Sequence, residues 1–323
     1  MATYLVTGIA GFIGSRVGAR LLSEGHHVVG IDNLNDYYDV KLKNYRLSGL
    51  KEREGFEFCK GDIESKKVLS SLFERYRFDA VLNLAARAGV RYSMENPHVY
   101  LSTNAAGTLN LLEEMVKRNV RKMVLASTSS LYAGQKMPFV ESLPVNTPIS
   151  PYAASKKAAE VMAFSFHHLY GLDISIVRYF TVFGPCGRPD MSIFRFIKWI
   201  REETPLEVFG NGSQSRDFTY VEDVARGTIA ALKEVGYEIV NIGGGKNPIS
   251  LNTIIGWIEG HLGKRAEVNR KPFHKADLIS TWADINKAEA LFGWKPEVSV
   301  EEGVKRTVEW HLENDDWLKE VTV

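Results

Sequence analysis

The segment Ser150-Pro151-Tyr152-Ala153-Ala154-Ser155-Lys156 sets a phenol and an ammonium four residues apart. On a helix, residues i and i+4 share a face, so both groups point the same way. A phenol titrating near 10 is a poor base at neutral pH, and a nearby ammonium stabilises its phenolate. Such a pair can draw a proton from a carbinol while its carbon gives up a hydride. Tyr-x-x-x-Lys occurs three times, at Tyr37/Lys41, Tyr132/Lys136 and Tyr152/Lys156. Only the third lies on a predicted helix. Ser150 is a good N-cap, Pro151 a good first residue, and Gly171 a good left-handed end. Tyr37 lies in a polar stretch with no capped helix start, and Tyr132 runs into a turn at Ala133-Gly134.

The hydride acceptor has its own signature. Gly8, Gly11, Phe12, Ile13 and Gly14 form a G-x-x-G-x-x-G loop between a predicted strand and a predicted helix. Glycines there permit a tight turn and close approach of backbone to a pyrophosphate, and the helix N-terminus offers free N–H groups. Asp32, followed by Asn33, ends the second predicted strand. A carboxylate there accepts hydrogen bonds from ribose hydroxyls and repels a 2′-phosphate, which favours NAD over NADP. Asp62-Ile63 ends the third strand, where a carboxylate can meet an adenine amino group.

These groups need a frame, and the first half of the chain supplies it. Short apolar runs at 3–7, 27–31, 56–59, 80–84, 122–127 and 173–178 alternate with helical stretches near 12–24, 65–75, 98–118 and 151–170. Connections of that length predict a doubly wound parallel Rossmann sheet, α/β in class, with its crevice at the strand C-termini. After about residue 178, Pro185, Pro189, Pro205, Gly210 and Gly212 break the rhythm. The expected division is an NAD-binding domain over 1–180 and a smaller α/β substrate-binding lobe over 181–323. Elements near 220–245, a helix near 221–233 and a strand near 239–242, are expected to return to the main sheet.

The 323 residues are 45% hydrophobic and 24% charged with a net charge of +1, ample for a large core. That balance gives no field for nucleic acid or an anionic membrane. Two cysteines, Cys59 and Cys186, suggest no disulfide scaffold, and cytoplasmic residence is the expectation. No apolar run reaches the roughly 20 residues of a membrane helix, and the histidines lack metal-site spacing.

The glycine loop, the Ala126-Ser127-Thr128-Ser129-Ser130 run and Tyr152-x-x-x-Lys156 together resemble the extended short-chain dehydrogenases/reductases that act on nucleotide sugars. The resemblance spans essentially the whole chain. The strings Asp32-Asn33-Leu34-Asn35-Asp36-Tyr37-Tyr38-Asp39, Ala85-Ala86-Arg87-Ala88-Gly89-Val90-Arg91 and Phe183-Gly184-Pro185-Cys186-Gly187-Arg188-Pro189-Asp190-Met191 look like those of UDP-glucuronate 4-epimerases. The resemblance implies Thr128, Tyr152 and Lys156 as the catalytic set, with Ser127 and Ser129 as alternatives to Thr128. It adds cofactor contacts at Leu84, Ala85, Ala86, Asn104 and Tyr179, and substrate contacts at Val90 and Arg91. Arg216 would anchor the diphosphate, or else pair with Asp217. Phe209 would neighbour the uracil, or else be core, and Asp277 would contact the ribose or its loop. A homodimer joined through two helices per subunit is also implied.

The implied reaction oxidises C4 of a UDP-sugar, turns the 4-keto sugar over and returns the hydride to its other face. A 4-keto uronate loses carbon dioxide readily, and related decarboxylases carry Glu at the position of Ser130. Here only hydroxyls stand there. Thr128, Ser129, Ser130 and Thr181, with Arg188 nearby, are therefore expected to hold a substrate carboxylate. The expected reaction is UDP-glucuronate to UDP-galacturonate. Alternatives are a neutral-sugar epimerase, a decarboxylase and a non-catalytic NAD-binding scaffold.

Overall fold

The computed structural model describes residues 1–246, 248–273 and 278–323. Its centre is a seven-stranded parallel sheet built from β1 (Thr3–Thr7), β2 (His27–Asp32), β3 (Phe56–Lys60), β4 (Ala80–Asn83), β5 (Lys122–Thr128), β6 (Asp173–Tyr179) and the later strand Tyr237–Ile242. From one edge to the other the order is Tyr237–Ile242, β6, β5, β4, β1, β2, β3. The chain winds from β1 towards β3, then restarts at β4 on the opposite side of β1. The crevice at that reversal is where a doubly wound sheet binds its ligand.

Both faces of the sheet are covered, which is why its strands read as continuous apolar runs. Alternate side chains build two cores. Leu5, Val29, Val81, Met123, Leu125, Ile174 and Ile176 enter one. Val6, Val28, Leu82, Val124, Val177, Val240 and Ile242 enter the other. A third core holds the capping part together, where the helices Ser192–Arg201, Leu251–Leu262 and Val300–Glu313 share Ile193, Ile197, Ile254, Ile258, Val304 and Val308 with Leu206 and Val208.

The helix Pro151–Tyr170 begins and ends as its sequence predicts. The Ser150 hydroxyl accepts from the Ala153 N–H at 3.2 Å, and Gly171 closes the helix at φ +65°. Three elements differ from expectation. The helical stretch near 98–118 is interrupted: Pro97–Tyr100 leads into a π-helical turn, Leu101–Ala106, before Gly107–Lys117. The helix near 221–233 stops at Ala230. A helix that periodicity did not suggest, Val40–Lys51, follows the polar stretch, with the Asp39 carboxylate accepting from the Lys41 N–H at 2.9 Å. Its buried residues include Lys43 and Arg46 as well as Leu42, Leu47 and Leu50, so no apolar stripe marks it.

Candidate active site

The glycine loop is packed too closely for any other residue. Gly8 has φ +68°, and a Cβ there would lie 2.8 Å from the Ala85 backbone. A Cβ on Gly14 would collide with the Gly8 carbonyl. Helix Phe12–Ser23 starts from Gly11 with no side-chain cap, so its first N–H groups are left for a ligand. Behind the loop, the Thr7 hydroxyl donates to Asn83 Oδ1 at 2.8 Å and accepts from the Ala85 N–H at 2.9 Å. That joins the ends of β1 and β4 at the topological switch.

One open cavity runs over these strand ends. Gly8, Gly11, Phe12, Ile13, Gly14, Asp32, Asn33, Asp62 and Ile63 line one end of it. The Asp32 carboxylate is held by the N–H groups of Ala10 (3.1 Å) and Leu34 (2.8 Å), leaving lone pairs for ribose hydroxyls. Asn33 Nδ2 donates to Asp62 Oδ2 at 2.6 Å, which presents the second carboxylate beside the first. Leu84, Ala85, Ala86 and Tyr179 line the middle, with the Tyr179 hydroxyl turned back to Thr228 at 2.8 Å. Asn104 differs from expectation: it does not line the cavity but is buried behind it. Its side chain grips the Arg87 N–H (2.8 Å) and C=O (3.0 Å) and Ser155 Oγ (2.9 Å).

Thr128, Tyr152 and Lys156 meet at the other end of this cavity. The Ser127 hydroxyl donates to buried Glu160 at 2.7 Å, which takes it out of the competition with Thr128. Burial pushes the Tyr152 phenol up, while Thr128 and Arg188 pull it down. Lys156 lines the same end of the cavity. Its Nζ donates to the Ala126 carbonyl at 2.9 Å. Burial lowers Lys156 to about 8, against the pull of Glu160. Glu160 in turn receives Arg178 Nε at 2.9 Å and Nη2 at 2.8 Å.

The proposed carboxylate cradle is only partly assembled: Thr128 and Arg188 line the main cavity, whereas Ser129 and Ser130 do not. Thr128 Oγ1 donates to Ser130 Oγ at 3.1 Å, and Ser129 opens the short turn that follows. Thr181 lies on a small adjoining cavity shared with Arg188 and Met191. Arg188 lines the main cavity and is forked onto Asp190, at 3.0 Å and 2.5 Å. Among the described residues that line the main cavity, the carboxylates are Asp32 and Asp62 alone, both at the end away from Tyr152. Val90 and Arg91 begin the short helix Val90–Glu95, and Arg91 stacks on the Phe209 ring at 3.9 Å. Phe209 is half-buried and belongs to none of the apolar cores, and it lines neither cavity. Asp217 does not serve Arg216. Its buried carboxylate takes the N–H groups of Ala283 (2.7 Å), Gly244 and Gly245, while Arg216 Nη1 donates to the Ser215 carbonyl at 2.8 Å. Asp277 lies outside the described residues. The polar and larger residues missed as cavity walls include Asn35, Tyr37, Tyr38, Lys43, Arg87 and Met191. All but Lys43 lie within the strings that resemble those of the epimerases, in loops where no period says which side chain faces the cavity; Lys43 sits on the unrecognised helix.

The sheet, the glycine cradle and the tyrosine–lysine pair define a nucleotide-dependent dehydrogenase-like enzyme. The model of the NAD dependent epimerase/dehydratase family matches residues 4–243, and the chain belongs to that family. A UDP-glucuronate 4-epimerase of Thermodesulfobacterium geofontis is 61% identical over 323 residues, covering 100% of both chains. A probable UDP-glucuronate 4-epimerase of Rhizobium meliloti is 40% identical, covering 96% of this chain and 97% of the relative. Among solved structures, the UDP-glucuronic acid 4-epimerase of Bacillus cereus in complex with UDP-glucuronic acid and NAD superposes with a TM-score of 0.90. It is 37% identical and covers 97% of this chain and 99% of that one. A UDP-glucose 4-epimerase of Thermotoga maritima, solved with UDP-glucose, gives a TM-score of 0.87 at 31% identity, covering 97% of this chain and 100% of that one.

Proposed function

We propose that the protein interconverts UDP-glucuronate and UDP-galacturonate at C4 of the sugar, with NAD as its cofactor. The observation that carries this reading is the reacting end of the cavity, where Tyr152, Lys156 and Thr128 stand with Arg188 and no carboxylic acid. The residues present fit NAD: a glycine cradle that a Cβ would fill, an uncapped helix start, and two carboxylates placed for ribose and adenine. When bound, NAD supplies a hydride acceptor at C4 and the same hydride for return.

This chain's residues do the rest. Tyr152 takes the proton of the 4-hydroxyl and gives one back to the 4-keto oxygen. Thr128 hydrogen-bonds the same oxygen and aligns it with the phenol. Lys156, held on the Ala126 carbonyl, keeps positive charge beside the developing phenolate. Ser129, Ser130, Thr181 and Arg188 bind the uronate carboxylate through neutral or cationic donors. Elimination and decarboxylation are not assisted, because no acid stands at the reacting carbon to shuttle a proton. Arg91, Phe209 and Arg216 face the nucleotide and let the sugar turn while the diphosphate stays anchored.

Incubating the protein with UDP-glucuronate, UDP-glucose and UDP-N-acetylglucosamine, and resolving products by chromatography, tests the reading. UDP-galacturonate is the expected product. Turnover of UDP-glucose alone refutes the carboxylate cradle, and UDP-xylose at full turnover makes the protein a decarboxylase.

The same reading includes a cytoplasmic homodimer and a lobe that begins after residue 180, with the elements near 220–245 belonging to the main sheet. No helix among the described residues is long and apolar enough to cross a membrane. Leu101, Val161 and Phe164 are all more than half exposed, on the neighbouring elements Leu101–Ala106 and Pro151–Tyr170. Two copies meeting there would cover them, which sedimentation of the wild type and of Phe164→Glu would reveal.

A further inference from the structure

Helix Val40–Lys51 turns cations inward where a helix on a sheet ordinarily buries apolar side chains. Lys43 is 4% exposed, lines the cofactor cavity and donates to the Asn35 carbonyl at 2.6 Å. No ion pair joins it to a described carboxylate. Arg87 lines the same cavity from the loop after β4, its backbone clamped by Asn104. Its Nε is buried without a hydrogen-bond partner. Behind them, Arg46 gives its five N–H contacts to neutral acceptors: the carbonyls of Ala10, Cys186 and Gly187 and the Tyr38 hydroxyl. Three positive side chains thus converge with no ion pair to a described carboxylate, Asp32 and Asp36 acting on Lys43 only from a distance, and burying cations so is costly unless an anion joins them.

Topology says where that anion sits. Lys43 follows β2, Arg87 follows β4, and β2 and β4 are the two neighbours of β1. The glycine loop leaves β1 between them, and its helix N-terminus is the seat for a diphosphate. We propose that Lys43 and Arg87 are ligands of the cofactor's diphosphate, closing on it from both sides of the glycine loop and setting how long NAD stays bound. The inference rests on the NAD-dependent reading above. It gives a physical basis for retention: a 4-keto intermediate must regain its hydride from the same cofactor, so release in mid-cycle would strand it.

The groups facing Lys43 support this. Desolvation lowers its ammonium to about 8; Asp32 and Asp36 oppose that shift, and Arg87 and Arg46 add to it. A dianion between Lys43 and Arg87 would restore the ordinary lysine range.

The test reads NAD exchange, not turnover. Purified protein with its co-purified NAD is mixed with isotopically labelled NAD, and incorporation is followed with time. Lys43→Met and Arg87→Met should each exchange faster by about 10-fold or more, as for loss of a charge-assisted hydrogen bond. With the diphosphate bound, Lys43 should titrate in the restored lysine range, so wild-type exchange should quicken as the pH rises from about 9 to 11, whereas Lys43→Arg, which cannot lose its charge, stays slow. Lys156 titrates near 8 at the far end of the cavity in both proteins, so the comparison isolates Lys43. The proposal is overturned if both methionine variants exchange within about twofold of wild type. It is also overturned if the KM for UDP-glucuronate rises while exchange is unchanged, which would give these cations to the sugar nucleotide. Should no variant fold, a wild-type exchange rate flat across that pH range overturns it. Absence of NAD from wild-type protein that cannot be reloaded would instead refute the cofactor reading itself.

Discussion

Arg188 and Asp190 are forked together across the loop that closes the sugar end of the cavity, Nε to Oδ1 at 3.0 Å and Nη2 to Oδ2 at 2.5 Å. The Tyr37 hydroxyl reaches the same carboxylate at 3.4 Å. Burial pushes the Asp190 carboxyl up, but Arg188 outweighs it and keeps the group ionised. The guanidinium is therefore aimed before any sugar arrives, with donors left over for a second carboxylate.

Arg188→Ala should raise the KM for UDP-glucuronate by about 10- to 100-fold, the cost of unpairing a charged hydrogen bond. UDP-glucose, which offers no carboxylate there, should be affected far less. Steady-state kinetics on both substrates check this, and equal losses would reduce Arg188 to a loop brace.

Tyr152→Phe keeps the ring and removes the proton carrier. Turnover should fall by about 10²-fold or more, the usual contribution of a positioned acid–base group. Bound NAD should persist, as absorbance of the purified variant would show. Near-normal turnover would remove Tyr152 from the mechanism.

Glu160→Gln tests the layer beneath. Glu160 and Arg178 are each 1% exposed, and the carboxylate also takes Ser127. Cutting its charge leaves a buried guanidinium without its counter-ion, at a cost of about 3–5 kcal/mol. Urea denaturation of the variant should show that loss. A change below about 1 kcal/mol would mean the pair is dispensable to the fold.

Lys156 makes a prediction with a definite sign. Its folded pKa of about 8 lies below the ordinary lysine value of about 10.4. Between those limits the unfolded chain binds more protons than the folded one, so the protein gains stability as the pH rises through that window. Lys43 shifts the same way. Lys156→Met should flatten part of the rise and leave the protein at least as stable as wild type at pH 7, while abolishing turnover. Denaturant midpoints measured from pH 7 to 10.5 decide it, and a wild-type slope that the variant retains in full refutes it.

What could be read in advance followed from local rules. The glycine loop, Asp32 and the capped helix carrying Tyr152 and Lys156 are each short-range patterns with a physical cause, and the structure brings them to one cavity. Thr128 could not be told from Ser127 in the chain, since neighbouring hydroxyls look alike until a partner is seen. Glu160 is that partner, 33 residues from Ser127. Lys43 stayed hidden for the opposite reason. Helix Val40–Lys51 buries lysine and arginine, so the apolar period that betrays most helices is missing. Asn104, expected against the cofactor, lies in the π-helical turn and holds the Arg87 backbone instead, a long-range contact that no local pattern announces.

The strand Tyr237–Ile242 pairs with β6 along six positions, from Tyr237 opposite Ile174 to Ile242 opposite Tyr179. The polypeptide cannot, then, be severed at residue 180 into two self-sufficient pieces. A fragment ending there would bare a row of unpaired amides and carbonyls along β6 and invite edge-to-edge clumping. Chimaeras that exchange sugar preference between relatives must either carry this strand across with the donor half or graft loops alone.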